Sequence, residues 1–128
     1  MRLLLDTHVL LWWFMGDPQL PQRVRAAILD DANEILVSAA SAWEVATKHR
    51  IGKLPEAPEV YPRFEELVAA DGFLYLPVSH RHGLRAGSYA VAHGDPFDRM
   101  LAAQAEIDGL LLVSRDSKFA LFPVQVFW

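Results

Sequence analysis

The sequence reads as an α/β domain in three layers, a mainly parallel central sheet of about five strands flanked by helices. Two observations carry this expectation. Short apolar runs alternate with helical patterns from one end of the chain to the other, the order of successive βαβ units. The apolar runs are also continuous rather than alternating, as strands covered on both faces must be. No repeat, linker or low-complexity stretch interrupts the pattern, so residues 1–128 are expected to form one domain.

Residues 2–5, RLLL, form the first expected strand. Asp6 or Thr7 can cap the helix that follows, THVLLWWF, and Gly16, Pro18 and Pro21 end it. PQRVRAAILDD is a second, amphipathic helix, with Pro21 suited to its first position. Glu34 to Val37 is a second strand, ending at Ser38. SAASAWEVATKHRIG is a third helix with a serine-rich start, a basic end and Gly52 as its stop. Ala40, Trp43, Val45 and Ala46 make most of that helix look buried. PEVYPRFEELVAADG contains a fourth helix starting near Pro62, and LYLPV is a strand ended by Pro77. SHRHGLRAGSYAVAHG suggests two short helices around Gly87. PFDRMLAAQAEIDG is a helix, LLLV a strand, RDSKFALF a turn with a short helical piece, and VQVFW a last strand.

Composition narrows the class. Hydrophobic residues make up 52% of the chain, with four Trp and seven Phe, enough for a globular core. The absence of cysteine excludes a disulfide framework, a zinc–thiolate site and a Cys nucleophile, and it fits a cytoplasmic location. No apolar run approaches the ~20 residues that cross a bilayer. The N-terminus does not read as a signal peptide, because an acid already stands at position 6. Sixteen acids against twelve Lys and Arg give a net charge of −4, which argues against a basic nucleic-acid coat. Setting aside the four acids singled out below leaves the remaining charges in balance.

In sheets of this kind the functional site lies beyond the carboxyl ends of the strands. Asp6, Ser38 and Asp116 stand at or just after such ends. Each acid also has an ordinary explanation. Asp6 can be a helix cap, and Glu44 can pair with Lys48 four residues on. Asp95 before Pro96 fits an N-cap, Asp98 lies in the first helical turn where the dipole favours an anion, and Asp116 can close an Asx-turn. Together, Asp6, Glu44, Asp98 and Asp116 mark one side of the sheet. Other chemistries lack support. There is no glycine-rich phosphate loop, no G-x-S-x-G elbow, and no zinc spacing among the five histidines. Trp12 and Trp13 read as core and interface rather than as base-stacking residues.

The motifs LLLDTHVLLWW, SAASAWEVATKHRIGKL, DPFDRMLAAQA and LLLVSRDSKF resemble those of the PIN-domain ribonucleases, specifically the VapC-type toxins of bacterial toxin–antitoxin pairs. The resemblance covers essentially the whole chain and implies a three-layer PIN-like fold. It implies a Mg²⁺- or Mn²⁺-dependent endonuclease acting on RNA, with Asp6, Glu44, Asp98 and Asp116 as catalytic and metal-binding acids. It further implies a cytoplasmic homodimer, inhibited by a small VapB-type antitoxin in a heteromeric complex, with no membrane association. Asp95 is then an extra, outer acid. Thr7, Ser38 and Ser114 are candidates for holding a water or a phosphate oxygen. Substrate affinity falls to local cations such as Lys48, Arg50, Lys53, Arg99, Arg115 and Lys118.

Four carboxylates close together repel, so at least one pKa should be raised and a divalent cation should relieve the strain. Mg²⁺ takes one or two carboxylates directly and keeps waters; Asp6 and Asp98 are the expected direct ligands, with Glu44 and Asp116 orienting waters or a second ion. Two other classes stay open at this point. One is a PIN-like module that binds RNA or protein without cutting. The other is a receiver-type signalling domain, disfavoured because only Asp6 follows the first strand and no Lys follows the last.

Overall fold

The computed structural model describes residues 1–128. The elements run β1 (Arg2–Leu5), α1 (Thr7–Met15), α2 (Gln22–Leu29), β2 (Glu34–Ser38), α3 (Ala39–Arg50), α4 (Phe64–Ala70), β3 (Leu74–Leu76), α5 (His80–Ser88), α6 (Pro96–Asp108), β4 (Leu111–Val113), a 3₁₀ turn (Ser117–Leu121) and β5 (Val126–Phe127). The five strands form one sheet in the order β3-β2-β1-β4-β5, and every pairing is parallel.

The continuous apolar runs are explained by the layers. Leu3, Leu5, Ile35, Val37 and Val113 pack on one face with side chains of α1, α2, α3 and α4. Leu4, Leu36 and Leu112 point the other way and pack with α5 and α6. Because neighbours in a strand face opposite sides, both faces must be apolar for the strand to be buried. The order of strands has a consequence for function. The chain moves outward from β1 through β2 to β3, then returns to place β4 on the other flank of β1. The direction of winding therefore reverses between β1 and β4, and a crevice opens there at the carboxyl ends of those strands.

Local signals set the ends of the helices. Gly16 after α1 and Gly109 after α6 adopt φ 63 and φ 65, a left-handed conformation that costs glycine nothing and ends a helix. Asp95 caps α6, with its side chain accepting from the backbone N–H of Phe97 and Asp98.

Several expectations need correction. Residues 79–94 hold one helix, α5, rather than two short ones. Gly87 lies inside it, and the penalty of about 1 kcal/mol for a mid-helix glycine is offset by outside bonds. Ser79 and His82 form a reciprocal cap at its start, and Arg85 makes a two-pronged pair with Glu106 of α6 at 2.6 and 3.1 Å. The chain from Tyr89 to Asp95 is not helical. Pro21 sits at the cap of α2 rather than inside it, and α4 starts at Phe64, two residues past Pro62. Trp43 is 62% exposed, so α3 buries Ala40, Ser41, Glu44 and Val45 but not the tryptophan.

A buried polar bridge ties the layers together near the site. Ser38 Oγ donates to Gln104 Oε1 at 2.6 Å, and Gln104 Nε2 donates to the carbonyl of Pro77 at 3.2 Å. Gln104 is completely buried. Replacing Gln104 by Leu leaves the fully buried Ser38 hydroxyl with no acceptor and frees the Pro77 carbonyl, which lies at the surface, so the expected loss is about 1–3 kcal/mol, measured by urea denaturation.

Candidate metal centre

Asp6 stands at the switch between β1 and β4. Its backbone N–H donates to the carbonyl of Val113 at 3.0 Å, which extends the β1–β4 ladder by one step. Although Asp6 occupies the cap position of α1, its side chain makes no capping bond. Its Oδ2 instead accepts from Ser114 Oγ at 2.7 Å, across the switch point. The plain cap reading of Asp6 therefore does not describe what the carboxylate does.

Glu44 enters from α3 with its side chain 6% exposed, and Oε2 accepts from Lys48 Nζ at 2.6 Å. Asp98 enters from the first turn of α6, and its Oδ2 is bonded to His93 Nε2 at 2.8 Å. An ionised carboxylate can only accept, so Nε2 carries the hydrogen. Each of the three acids thus has one oxygen held by a neighbour and one oxygen with no protein partner. No buried side-chain oxygen in the molecule lacks a partner, so the second oxygens are open to solvent rather than sealed.

The three acids influence one another electrostatically. Burial raises the Asp6 carboxyl from 3.8 to about 6, with further increments from Asp98 and Glu44 opposed by the Ser114 hydroxyl and His8. Asp98 is also raised, first by burial and then by Asp95 and Glu44, against the His93 bond. The rise expected from crowding is present, but its leading cause is loss of solvent and repulsion is secondary.

Asp116 is placed differently. It shares an open cleft of about 350 Å³ with Asp6, His8, Trp12, Arg115 and Ser117. Its Oδ1 accepts from the backbone N–H of Lys118 and so caps the 3₁₀ turn. Its own N–H donates to Ser114 Oγ at 3.0 Å, so Ser114 links it to Asp6. No three acids or histidines stand close enough together to ligate one ion as placed. That arrangement still suits Mg²⁺ or Mn²⁺, because such an ion takes one or two carboxylates directly and reaches the others through water.

The hydroxyls and cations need reassignment. Ser38 and Thr7 are buried and bonded within the protein, Ser38 to Gln104 and Thr7 to Ser41 Oγ at 2.9 Å. Neither is open to a substrate, and Ser114 holds Asp6 rather than a phosphate. Arg99 is likewise withdrawn from substrate contact. Its guanidinium donates five times to main-chain carbonyls between Ala86 and His93, at 2.6 to 3.5 Å. An arginine has five such donors, so none remains. Lys48 is a partner of Glu44. Arg50 at the end of α3 and Arg115 in the cleft stay exposed, Arg115 lying 4.6 Å over the Trp12 ring.

Two residues escaped sequence reasoning. His93 shares no zinc spacing with the other histidines, yet it lies five residues before Asp98 and bonds it. His8, the second residue of α1, faces the cleft beside Asp6. The only available signal for His93 was its place at the head of the DPFD segment.

Comparison with known proteins gives consistent findings. A family model described as the PIN domain matches residues 3–124. Ribonuclease VapC16 of Mycobacterium tuberculosis is 41% identical over 58 residues, which is 45% of this chain and only 41% of that protein's length. The DNA-bound VapBC structure from Salmonella typhimurium superimposes with a TM-score of 0.72 at 18% identity, covering 99% of this chain and 97% of that one. A toxin–antitoxin complex from Klebsiella pneumoniae gives 0.64 at 22% identity, covering 97% and 95%. At these identities the two structures speak to the fold alone.

Proposed function

The chain belongs to the PIN-domain family, and from that premise we propose that it is a divalent-metal-dependent endoribonuclease, the toxin of a VapBC-type toxin–antitoxin pair. The observation that carries this reading is the trio Asp6, Glu44 and Asp98 at the switch point, each with one oxygen held and one open. A dry explanation by caps and ion pairs accounts for the held oxygens only. The partial match to a named ribonuclease supports the substrate class; a VapB-type antitoxin and a homodimer are part of the same proposal, and the fold shared with the toxin–antitoxin structures accommodates them.

In this reading Asp6 and Asp98 hold the cation directly. Glu44 and Asp116 align waters, since Glu44 is fixed by Lys48 and Asp116 by the 3₁₀ turn. When bound, the cation lowers the pKa of a water and offsets charge on the scissile phosphate. Ser114 keeps Asp6 in register with Asp116, and Asp6 and Asp98, both raised by burial, are acids that a nearby positive charge relieves. Arg115, exposed at the cleft, would meet the RNA backbone, as a guanidinium suits phosphate oxygens. Attack by water leaves a 5′-phosphate and a 3′-hydroxyl.

The test is incubation with RNA in Mg²⁺ or Mn²⁺, with end analysis of the products. Cleavage that yields 5′-phosphates and stops on adding a chelator is expected. Cleavage that continues in chelator overturns the metal chemistry, and RNA binding without cleavage in either condition favours a module that binds without cutting.

A further inference from the structure

Asp98 sits in the first turn of α6, and only one of its oxygens is bonded, to His93 at 2.8 Å. A terminal carboxylate torsion is broad, so a lone aspartate presents either oxygen over a range of angles. A donor fixed on one oxygen removes that freedom. His93 is itself fixed. Its carbonyl is gripped by Arg99 Nη1 at 2.9 Å, and its ring packs edge-on against Phe122 at 6.0 Å. The irregular segment before α6 has no helix or strand to hold it; three of the Arg99 bonds, to the carbonyls of Tyr89, Val91 and His93, supply that hold, and two more tie it to the last turn of α5. Asp98 and Arg99 are consecutive, so the same turn of α6 carries the acid and the anchor for its partner.

We infer that His93 is a positioning residue for Asp98, set in place by the Arg99 anchor, and that it leaves Oδ1 alone to meet a divalent cation. The inference rests on the metal-dependent reading given above. Hydrogen-bond partners of ligating carboxylates and histidines contribute about 10–100-fold to metal affinity. Ser114 and Lys48 hold Asp6 and Glu44 in the same way, but Lys48 is carried by α3 and the Ser114 N–H bonds the Phe127 carbonyl at the edge of the sheet, whereas His93 lies in irregular chain and its placement needs a dedicated anchor.

Two variants separate positioning from packing. His93→Phe keeps an aromatic ring against Phe122 and removes the donor. His93→Gln returns a donor without the ring. Mn²⁺ affinity is measured by calorimetry without RNA, on variants whose circular dichroism matches the parent, and cleavage is followed in parallel. His93→Phe is expected to bind Mn²⁺ about 10–100-fold more weakly. His93→Gln is expected to recover most of that loss, and excess Mn²⁺ to restore cleavage by both. Binding by His93→Phe that equals or exceeds the parent overturns the inference, as does a His93→Gln that binds no better than His93→Phe. A parent that cleaves RNA while His93→Phe matches it in both assays removes this inference alone. A parent that neither binds Mn²⁺ nor cleaves removes the functional reading with it.

Discussion

Asp6→Asn is expected to make the protein more stable and to abolish its metal-dependent cleavage. The stability gain follows from linkage. Burial raises the Asp6 carboxyl from 3.8 to about 6 in the folded state. Below pH ~4 the group is protonated in both states and makes no difference. Between about pH 4 and 6 the unfolded chain gives up the proton first, so the native state binds more protons and stability falls as the pH rises. Above pH ~6 the folded protein carries the full cost of a poorly solvated charge, about 3 kcal/mol at 1.4 kcal/mol per unit. Asparagine has no charge to desolvate, and its side-chain oxygen still accepts from Ser114 Oγ. Urea denaturation should therefore show the variant more stable than the parent at pH 8, with the gap closing at pH 4. Divalent cation should raise the melting temperature of the parent, because binding to the native state alone stabilises it, and leave the variant unmoved. A variant less stable than the parent at pH 8 would show that Asp6 contributes to the fold rather than straining it.

Two aspartates three residues apart are expected to part company just as sharply. Asp98→Asn removes a charge that a cation needs. Outer partners of such sites already contribute about 10–100-fold, so a direct ligand should cost about 100-fold or more in kcat/KM. Asp95→Ala removes only the cap, whose oxygen accepts from Phe97 and Asp98 N–H. It should cost about 1 kcal/mol of stability and leave cleavage within a few-fold of the parent. Equal losses of cleavage in the two variants would place Asp95 among the ligands. Steady-state cleavage and thermal melts on the same preparations give both numbers.

The sequence disclosed the elements whose signals are local. RLLL before an acid, and PFDRMLAAQAEID between Asp95 and Gly109, carry their own starts and stops, and both form as expected. Residues 79–94 misled because Gly87 is a poor helix former, while the bonds that override it come from Glu106, seventeen or more positions away. Trp43 misled because apolar spacing cannot tell which side of α3 faces the sheet; Glu44, its neighbour, is the buried one. The acids themselves were legible as residues at strand and helix ends. What held them was not. Ser114 meets Asp6 across 108 positions of sequence, and Arg99 was read as a free cation because its five acceptors are backbone carbonyls, which no side-chain pattern reports. Hydroxyls suffered the same way: Ser38 and Thr7 stand beside the right strand ends but point into the protein, where Gln104 and Ser41 engage them.

In the proposed function, Asp6 just past β1, Glu44 on α3 and Asp98 on α6 gather around one divalent cation at the β1–β4 switch point. A crystal soaked in Mn²⁺ and read by its anomalous scattering tests it most directly. The expected result is an ion bonded to the open oxygens of Asp6 and Asp98, with Glu44 reached through water. An ion bound elsewhere in a crystal whose Asp6 and Asp98 touch none would contradict it.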